Sequence, residues 1–203
     1  MRDTILQGLE SEIALSETSE ITSNLSYILS VIRKHLDMDV AFISEITDDM
    51  RKIEIVDTAY PDSPLNPGHA DPTEHTYCQR IIEGELNEVI PDTSKNHITK
   101  VMPITEELQI GSYLGAPIVL NDGEVYGTFC CFSHTPNDSL NERDLALMKI
   151  FADIAARHID RQLHKNQEDN QIKKRITEVL NNHKVKTVLQ TVFHVEQPTI
   201  NRE

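Results

Sequence analysis

The fold of this chain is decided by residues 111–133, which read GSYLGAPIVLNDGEVYGTFCCFS. Two apolar segments flank Asn121-Asp122-Gly123, and Asp-Gly tolerates the positive φ that a tight hairpin turn requires. Residues 125–132 are almost continuously apolar, so we expect both faces of this hairpin to be covered. The stretch is therefore predicted to form the middle of a β-sheet.

Helices and a second hairpin are predicted around this centre. Apolar residues at helical spacing predict helices over residues 4–14 and 23–36, and residues 40–46 and 53–56 form a strand pair with a turn at Asp48-Asp49. After the central hairpin, Ser139 and Glu142 have the spacing of a capping box. That box is predicted to start the longest helix, which keeps an apolar face to about residue 163 and a thinner one to about residue 180.

The residues between the two hairpins are predicted to cover one face of the sheet. Residues 60–72 hold several prolines and a glycine, which predicts a long loop without regular structure. A short helix is expected over residues 74–83, followed by a brief strand at 88–90. Residues 100–110 are expected to be irregular, with one helical turn.

The overall composition limits the classes of function. A chain of 203 residues with 38% hydrophobic residues fits one soluble domain with tails. We expect a cytoplasmic protein, because the N-terminus lacks the apolar core of a signal peptide and no apolar run approaches the roughly 20 residues that span a bilayer. The net charge of -14 argues against nucleic acid or an anionic membrane as partner.

The three cysteines, Cys78, Cys130 and Cys131, do not have the spacing of a metal motif. An odd number without an export signal favours reduced thiols, which are most often buried packing residues. Cys130 and Cys131 are adjacent on a predicted strand, so their side chains should point to opposite faces and cannot bind one metal ion.

The order of these elements resembles that of the GAF domain family, the small-molecule sensor modules of signalling proteins, over residues 20–163. Five segments carry the resemblance: TYCQRIIEG at 76–84, VIPD at 89–92, GSYLGAPI at 111–118, GEVYGTF at 123–129 and NERDL at 141–145. The resemblance implies an α+β fold, an α/β/α sandwich with a central antiparallel sheet. The N- and C-terminal helices should pack on one face, and a ligand pocket should lie under short helices and loops on the other.

The expected organisation is an N-terminal helix at 1–19, a GAF domain at 20–163, a helical connector at 164–182 and a tail at 183–203. RITEVL at 175–180 and VLQTVF at 188–193 resemble the opening of the EAL domain, a cyclic-di-GMP phosphodiesterase, although that family has proline where Thr191 stands. The resemblance implies the sensor part of a bacterial cyclic-di-GMP signalling protein; the alternatives are that the tail is a remnant of such a domain or a coincidental similarity. The residues that hold metals and dinucleotide in that family lie further along than Glu203, so we expect no hydrolysis by this chain.

The interpretation that follows is a non-enzymatic cytoplasmic sensor that binds a small molecule of unspecified identity. We expect it to signal through its terminal helices, as a homodimer joined by them, to a possible downstream EAL-type effector. The candidate ligand-binding residues are Tyr77, Cys78, Asp92, Ser112, Tyr113, Thr128 and Cys130. Asp92 has the alternative role of capping the turn that follows it.

Other functions remain open from the sequence. A redox enzyme like the GAF-type methionine sulfoxide reductases would need a cysteine in the cover, and residues 100–110 contain none. A haem or metal sensor is a further alternative, because His75 and Cys78 stand three residues apart on one face of the predicted helix, although His97 or His134 would have to complete the site. A bilin photoreceptor of the phytochrome type would have histidine directly after the cysteine, where this chain has Gln79. A purely structural dimerisation module is the last alternative.

Overall fold

The computed structural model of the protein describes residues 22–47, 49–60 and 63–181. Six strands form one antiparallel sheet in the order β3-β2-β1-β6-β5-β4. In chain order they are β1 (Val40–Ile46), β2 (Met50–Thr58), β3 (Ala70–Pro72), β4 (Val89–Ile90), β5 (Ser112–Val119) and β6 (Val125–Ser133). The predicted α+β fold is confirmed.

The central hairpin lies where the sequence places it. Strand β6 pairs with β1 on one side and with β5 on the other, so it is inside the sheet. Gly123 has a φ of 89° in the turn. At Gly127, a Cβ atom would lie only 1.8 Å from the carbonyl oxygen of Ser44, so only glycine lets β6 approach β1 this closely.

Within the described residues, four α-helices accompany the sheet. Helix α1 covers residues 22–35, close to the predicted 23–36. Helix α2 is Tyr77–Ile82, α3 is Pro103–Glu107 and α4 is Glu142–Asn181. Short 3-10 helices at Thr73–His75 and Thr99–Val101 precede α2 and α3.

The sheet separates two apolar cores. On the helix face, α1 and the first part of α4 pack against alternate strand residues, and the buried residues there include Leu29, Ile43, Leu114, Phe129 and Met148. On the opposite face, which we call the cover face, α2, α3 and the adjoining loops pack against Phe42, Ile53, Tyr113, Cys130 and Phe132. Cys130 and Cys131 therefore face opposite cores, as predicted.

Three local predictions about the cover segments are wrong. Residues 60–72 include strand β3, because Ala70–Pro72 finds backbone partners along Met50–Lys52 at the edge of β2. Strand β4 belongs to the sheet and not to its cover, since it pairs with β5. The predicted helix at 74–83 is split in two, because Thr76 is extended and caps α2 through a hydrogen bond from the Gln79 amide.

The start of α4 is also corrected. Helix α4 begins at Glu142 and not at Ser139, and the capping box is formed by Asn141 and Asp144. Asn141 Oδ1 accepts from the Arg143 amide at 2.9 Å, and Asp144 Oδ2 accepts from the Asn141 amide at 3.0 Å. Ser139 instead donates to the side chain of Asn137.

The chain divides into two compact units at Gln162 and Leu163. In the second unit, the described residues 163–181 are helical and expose Leu163, Ile172, Ile176 and Val179. The predicted helix at 4–14 and the tail at 183–203 lie outside the described residues. Among those that are described, no helix has the length and apolar character needed to cross a membrane.

Candidate functional site

A group of polar and sulfur-containing side chains lies in the core of the cover face. The group, which we call the cover cluster, brings together side chains from β1, β2, α2, β5 and β6. Its members are Ser44, Arg51, Cys78, Tyr113, Thr128 and Cys130, and all are buried. Buried polar residues of the helix face, such as Ser112 and Asp160, bond to backbone groups.

Arg51 brings a positive charge into this cluster. Its side chain forms an ion pair with Asp71 of β3, and its guanidinium carbon lies 5.7 Å from the centroid of the Phe42 ring. Burial alone would lower the pKa of Arg51, but Cys78 and Asp71 raise it, so the side chain stays charged. Its Nε atom has no hydrogen-bond partner in the part of the chain that the structure describes.

Cys78 lies at the centre of the cluster. Its Sγ atom is 3.5 Å from Tyr113 Oη and 3.9 Å from each of Cys130 Sγ, Ser44 Oγ and Arg51 Nη1. The contact with Cys130 and the charge of Arg51 lower the pKa of the Cys78 thiol well below its usual value, against the effect of burial. Burial and the neighbouring Cys78 raise the pKa of Cys130.

The two tyrosines are packed together above the sheet. The ring centroids of Tyr77 and Tyr113 are 5.0 Å apart in an edge-on arrangement. Tyr77 Oη and Thr105 Oγ1 are 2.5 Å apart, and this contact joins α2 to α3. Burial raises the pKa of Tyr113 well above its usual value. Thr128 Oγ1 is 2.9 Å from Ser44 Oγ across the β1–β6 pair.

Five of the seven residues predicted from the sequence are therefore near one another: Tyr77, Cys78, Tyr113, Thr128 and Cys130. Ser112 has the strand parity of Leu114 on the helix face, and its hydroxyl donates to the Thr135 carbonyl oxygen at 2.9 Å. Asp92 accepts from the Ser94 amide at 3.0 Å and pairs with Lys95. It therefore has the turn-capping position that the sequence also allowed.

The histidine and cysteine pair considered for a metal is not assembled. His75 belongs to the 3-10 helix with an exposed side chain, whereas Cys78 is completely buried in α2. No group of three or more histidine, cysteine or acidic side chains within residues 22–47, 49–60 and 63–181 has the geometry to hold a metal ion. The expectation that His75 and Cys78 share one helix face is wrong because Thr76 interrupts the helix.

An open cavity of about 330 Å³ lies at one end of the cover. It is lined by Tyr60, Ser63, Pro64, Glu107, Leu108, Gln109 and His134. The Tyr60 and His134 rings are 5.5 Å apart, and the ring of Phe132, which is in the cover-face core, is 5.6 Å from that of His134. Tyr60 Oη donates to Asp39 Oδ1 at 3.2 Å, and Asp39 Oδ2 accepts from the His134 amide at 2.8 Å, which fixes the wall of the cavity.

Sequence reasoning missed Ser44, Arg51, Asp71 and the cavity residue Tyr60, and it considered His134 only as a metal ligand. Arg51 carries one usable signal, because it stands two residues before the apolar Ile53 and so shares its strand face. A charged residue at an inward position needs a partner, which is a reason to look for a buried ion pair. The cavity residues come from three distant segments and leave no such signal.

Comparison with known proteins agrees with this fold. The model of the GAF domain family matches residues 20–159. No curated protein matches the sequence.

Several solved structures have the same fold at low sequence identity. The blue-light absorbing form of the Thermosynechococcus elongatus PixJ GAF domain is 14% identical with a TM-score of 0.61, over 79% of this chain and 96% of that one. The phycoerythrobilin-bound GAF domain of a cyanobacterial phytochrome is 16% identical with a TM-score of 0.58, over 82% and 98%. The GAF domain of Acinetobacter phosphoenolpyruvate-protein phosphotransferase is 17% identical with a TM-score of 0.55, over 68% and 81%.

Proposed function

The chain belongs to the GAF domain family, and from this premise we propose that it is a non-catalytic sensory domain of the cytoplasm. It binds a small molecule between the sheet and its cover, and a change in that site alters the packing of α1 and α4. The observation that carries the proposal is the cover cluster. A buried arginine with an unused donor, next to hydroxyl and thiol groups, is a polar site that packing alone does not require.

The cavity at the end of the cover is the proposed entrance. Its lining combines the aromatic rings of Tyr60 and His134 with the carboxylate of Glu107. This combination suits a flat or aromatic molecule that carries a hydrogen-bond donor. Phe132, a member of the cover-face core, lies against His134 of this entrance, so entry of a ligand would displace side chains of that core.

The helix face holds the contacts through which a change in the sheet would reach α4. Cys131 Sγ is 3.9 Å from Met148 Sδ of α4, and the Asn121 amide in the hairpin turn donates to Asp160 Oδ2 at 2.9 Å. Cys130 and Cys131 are neighbours on β6, so displacement of β6 on the cover face moves residues that contact α4. Because packed cores are bistable and not continuously deformable, a small displacement can shift the helix between two arrangements.

The partner of this domain is proposed to be a second copy of the chain. Leu163, Ile172, Ile176 and Val179 are exposed on α4, and the last three follow the spacing of a coiled-coil seam. Ile176→Glu should convert a dimer into a monomer in analytical ultracentrifugation, whereas Lys174→Glu on the same helix should not. A monomeric wild type at high concentration would contradict the proposed dimer.

The tail sequence favours a role as the sensor of a cyclic-di-GMP signalling protein, with an EAL-type effector downstream.

Native mass spectrometry of the freshly purified protein tests ligand binding. We expect an added mass over the 23.1 kDa chain in the wild type and its loss in Leu108→Trp, which fills the cavity. Tyr27→Trp, on the exposed surface of α1, is the matched control and should keep the ligand. A chain mass without any addition, in repeated preparations, would contradict the proposal.

A bilin is one ligand class to test, because one of the structural neighbours holds phycoerythrobilin. In this chain Gln79 follows the buried Cys78. An absorbance scan of the same preparation separates a tetrapyrrole from a colourless ligand.

A further inference from the structure

Cys78 and Cys130 bring two sulfur atoms into contact across the boundary between the cover and the sheet. Their Sγ atoms are 3.9 Å apart, and the two residues come from different elements, α2 and β6. A disulfide needs sulfurs about 2 Å apart, so the two side chains have to close a gap of about the same size. No other pair among the three cysteines is arranged in this way, because Cys131 faces the opposite core.

The surroundings of this pair differ from those of an inert buried cysteine. Arg51 Nη1 lies 3.9 Å from Cys78 Sγ, and Ser44 Oγ is at the same distance. These donors point at Cys78, whereas the thiol of Cys131 lies 3.9 Å from Met148 Sδ and burial raises its pKa. A positive charge beside one of two touching thiols is what makes that thiol the nucleophile.

The charged and titratable groups that face Cys78 come from every element around it. Arg51 lies on β2 with Asp71 of β3 behind it, Tyr113 lies on β5 and Cys130 on β6. The contacts with Cys130 and Arg51 lower the pKa of Cys78, and the pKa values of Tyr113 and Cys130 are raised. Both the contact with Arg51 and these directions favour Cys78 as the nucleophile of the pair.

The sheet also leaves room for the second sulfur. Gly115 pairs with Cys130 across the β5–β6 ladder, and a Cβ atom on Gly115 would lie 3.3 Å from Cys130 Sγ and 2.8 Å from the Tyr113 ring. Any larger residue here would crowd both groups. The glycine thus avoids a contact that would hold Cys130 Sγ in place.

We propose that Cys78 and Cys130 are a reversible redox couple that a small hydroperoxide oxidises to a disulfide. The Cys78 thiolate attacks one oxygen of hydrogen peroxide, the O–O bond breaks, and the other oxygen leaves as hydroxide, which takes up a proton to become water. Cys78 is then a sulfenic acid. The sulfur of Cys130 attacks it, the S–O bond breaks, and the hydroxyl leaves as a second water with the Cys130 proton.

The balance is two thiols and one peroxide to one disulfide and two waters, and a dithiol reverses it. Because both sulfurs are buried, the oxidant has to be small and uncharged, which hydrogen peroxide is. The bond would fasten α2 to the middle of the sheet. Formation of this disulfide does not require the ligand of the proposed function. The redox proposal and the ligand-binding proposal can therefore be disproved independently.

The test is a titration of the reduced, folded full chain with hydrogen peroxide, followed by acid quenching, alkylation in denaturant and peptide mass mapping. We expect a Cys78–Cys130 linked peptide and the loss of two hydrogens from the intact mass, both reversed by dithiothreitol. Cys130→Ser should stop at a sulfenic acid on Cys78 that dimedone traps. Cys131→Ser is the matched control and should still form the disulfide.

The role of Arg51 has a separate readout. Arg51→Met should slow the oxidation at pH 7 about tenfold and move its pH profile to higher pH, and Arg51→Lys should recover part of the rate because it restores the charge. Equal oxidation of Cys131 and Cys78 would overturn the proposal. So would a wild type that stays fully reduced in peroxide while its near-ultraviolet circular dichroism remains native.

Discussion

Arg51 carries a positive charge in the core of the cover face, with only 2% of its surface exposed. Its charge is balanced by Asp71, whose side chain is 22% exposed and is also 3.0 Å from His69 Nε2. Breaking a buried ion pair by removing one partner leaves the other charge without compensation. The stability of the cover therefore depends on a residue from β3, a strand that the sequence did not predict.

Asp71→Asn tests this ion pair. We expect it to lower the free energy of unfolding by about 2–3 kcal/mol, below the range for a fully buried pair because Asp71 is partly exposed. Urea unfolding at pH 7 measures the loss. Lys149→Gln breaks the exposed Lys149–Glu88 pair and serves as control, with an expected loss of less than about 1 kcal/mol. Equal losses of unfolding free energy in the two variants would show that Asp71 does not compensate the charge of Arg51.

Glu45 gives a prediction about pH. Burial first, and then the neighbouring Glu54, raise the pKa of Glu45, while Lys52 opposes them. The folded protein therefore keeps the proton to a higher pH than the unfolded chain does. It follows that the stability from Glu45 falls as the pH rises from the unfolded pKa, about 4.3, through the raised folded value.

Glu45→Gln removes this penalty, because the amide is uncharged and can donate to Glu54. We expect the variant to be more stable than the wild type at pH 7 and the difference to shrink towards pH 4. Urea unfolding at both pH values is the measurement, and Glu124→Gln in the exposed turn is the control. A variant that is less stable at pH 7 would contradict the assignment.

At the scale of elements, the long periodic segments were predictable and the short cover segments were not. The central hairpin, α1 and the β1–β2 pair follow from local apolar patterns. Strand β3 is three residues long and ends at Pro72, so nothing local distinguishes it from a loop, and only pairing with β2 makes it a strand. In the site, the burial of Tyr77, Cys78 and Cys130 was predictable from their elements, whereas the ion pair of Arg51 depends on that unpredicted strand.

The start of α4 shows how two local signals compete. Ser139 and Glu142 fit the capping box in sequence, but Asn141 and Asp144 fit it as well, and the structure uses the second pair. The competing Ser139 is occupied by a local turn, in which its amide and hydroxyl both donate to Asn137. Sequence spacing alone does not decide between two overlapping boxes.

Asn141→Ala should therefore cost about 1 kcal/mol of unfolding free energy, the usual effect of losing an N-cap. Ser139→Ala is the matched control two residues earlier and should cost less, since Ser139 is exposed and only supports a turn. Thermal unfolding followed by circular dichroism compares the two. A larger loss of stability in Ser139→Ala than in Asn141→Ala would instead favour the capping box of Ser139 and Glu142.

At the scale of the whole molecule, the first unit is a sheet with two different faces. The helix face is an apolar core with α1 and α4, and the cover face holds a charge, two touching thiols and a cavity at its end. Strand β6 is common to both, because its successive residues alternate between them. In our account, this alternation allows an event under the cover to reach the helices.

Hydrogen–deuterium exchange of the protein as purified, against the same protein stripped by denaturation and refolding, tests this claim most directly. We predict slower exchange in the purified form at residues 63–65, 77–82 and 103–110 around the cover, together with a changed rate in residues 142–162 of α4. Identical exchange in the two preparations, or a difference confined to residues 163–181, would contradict it.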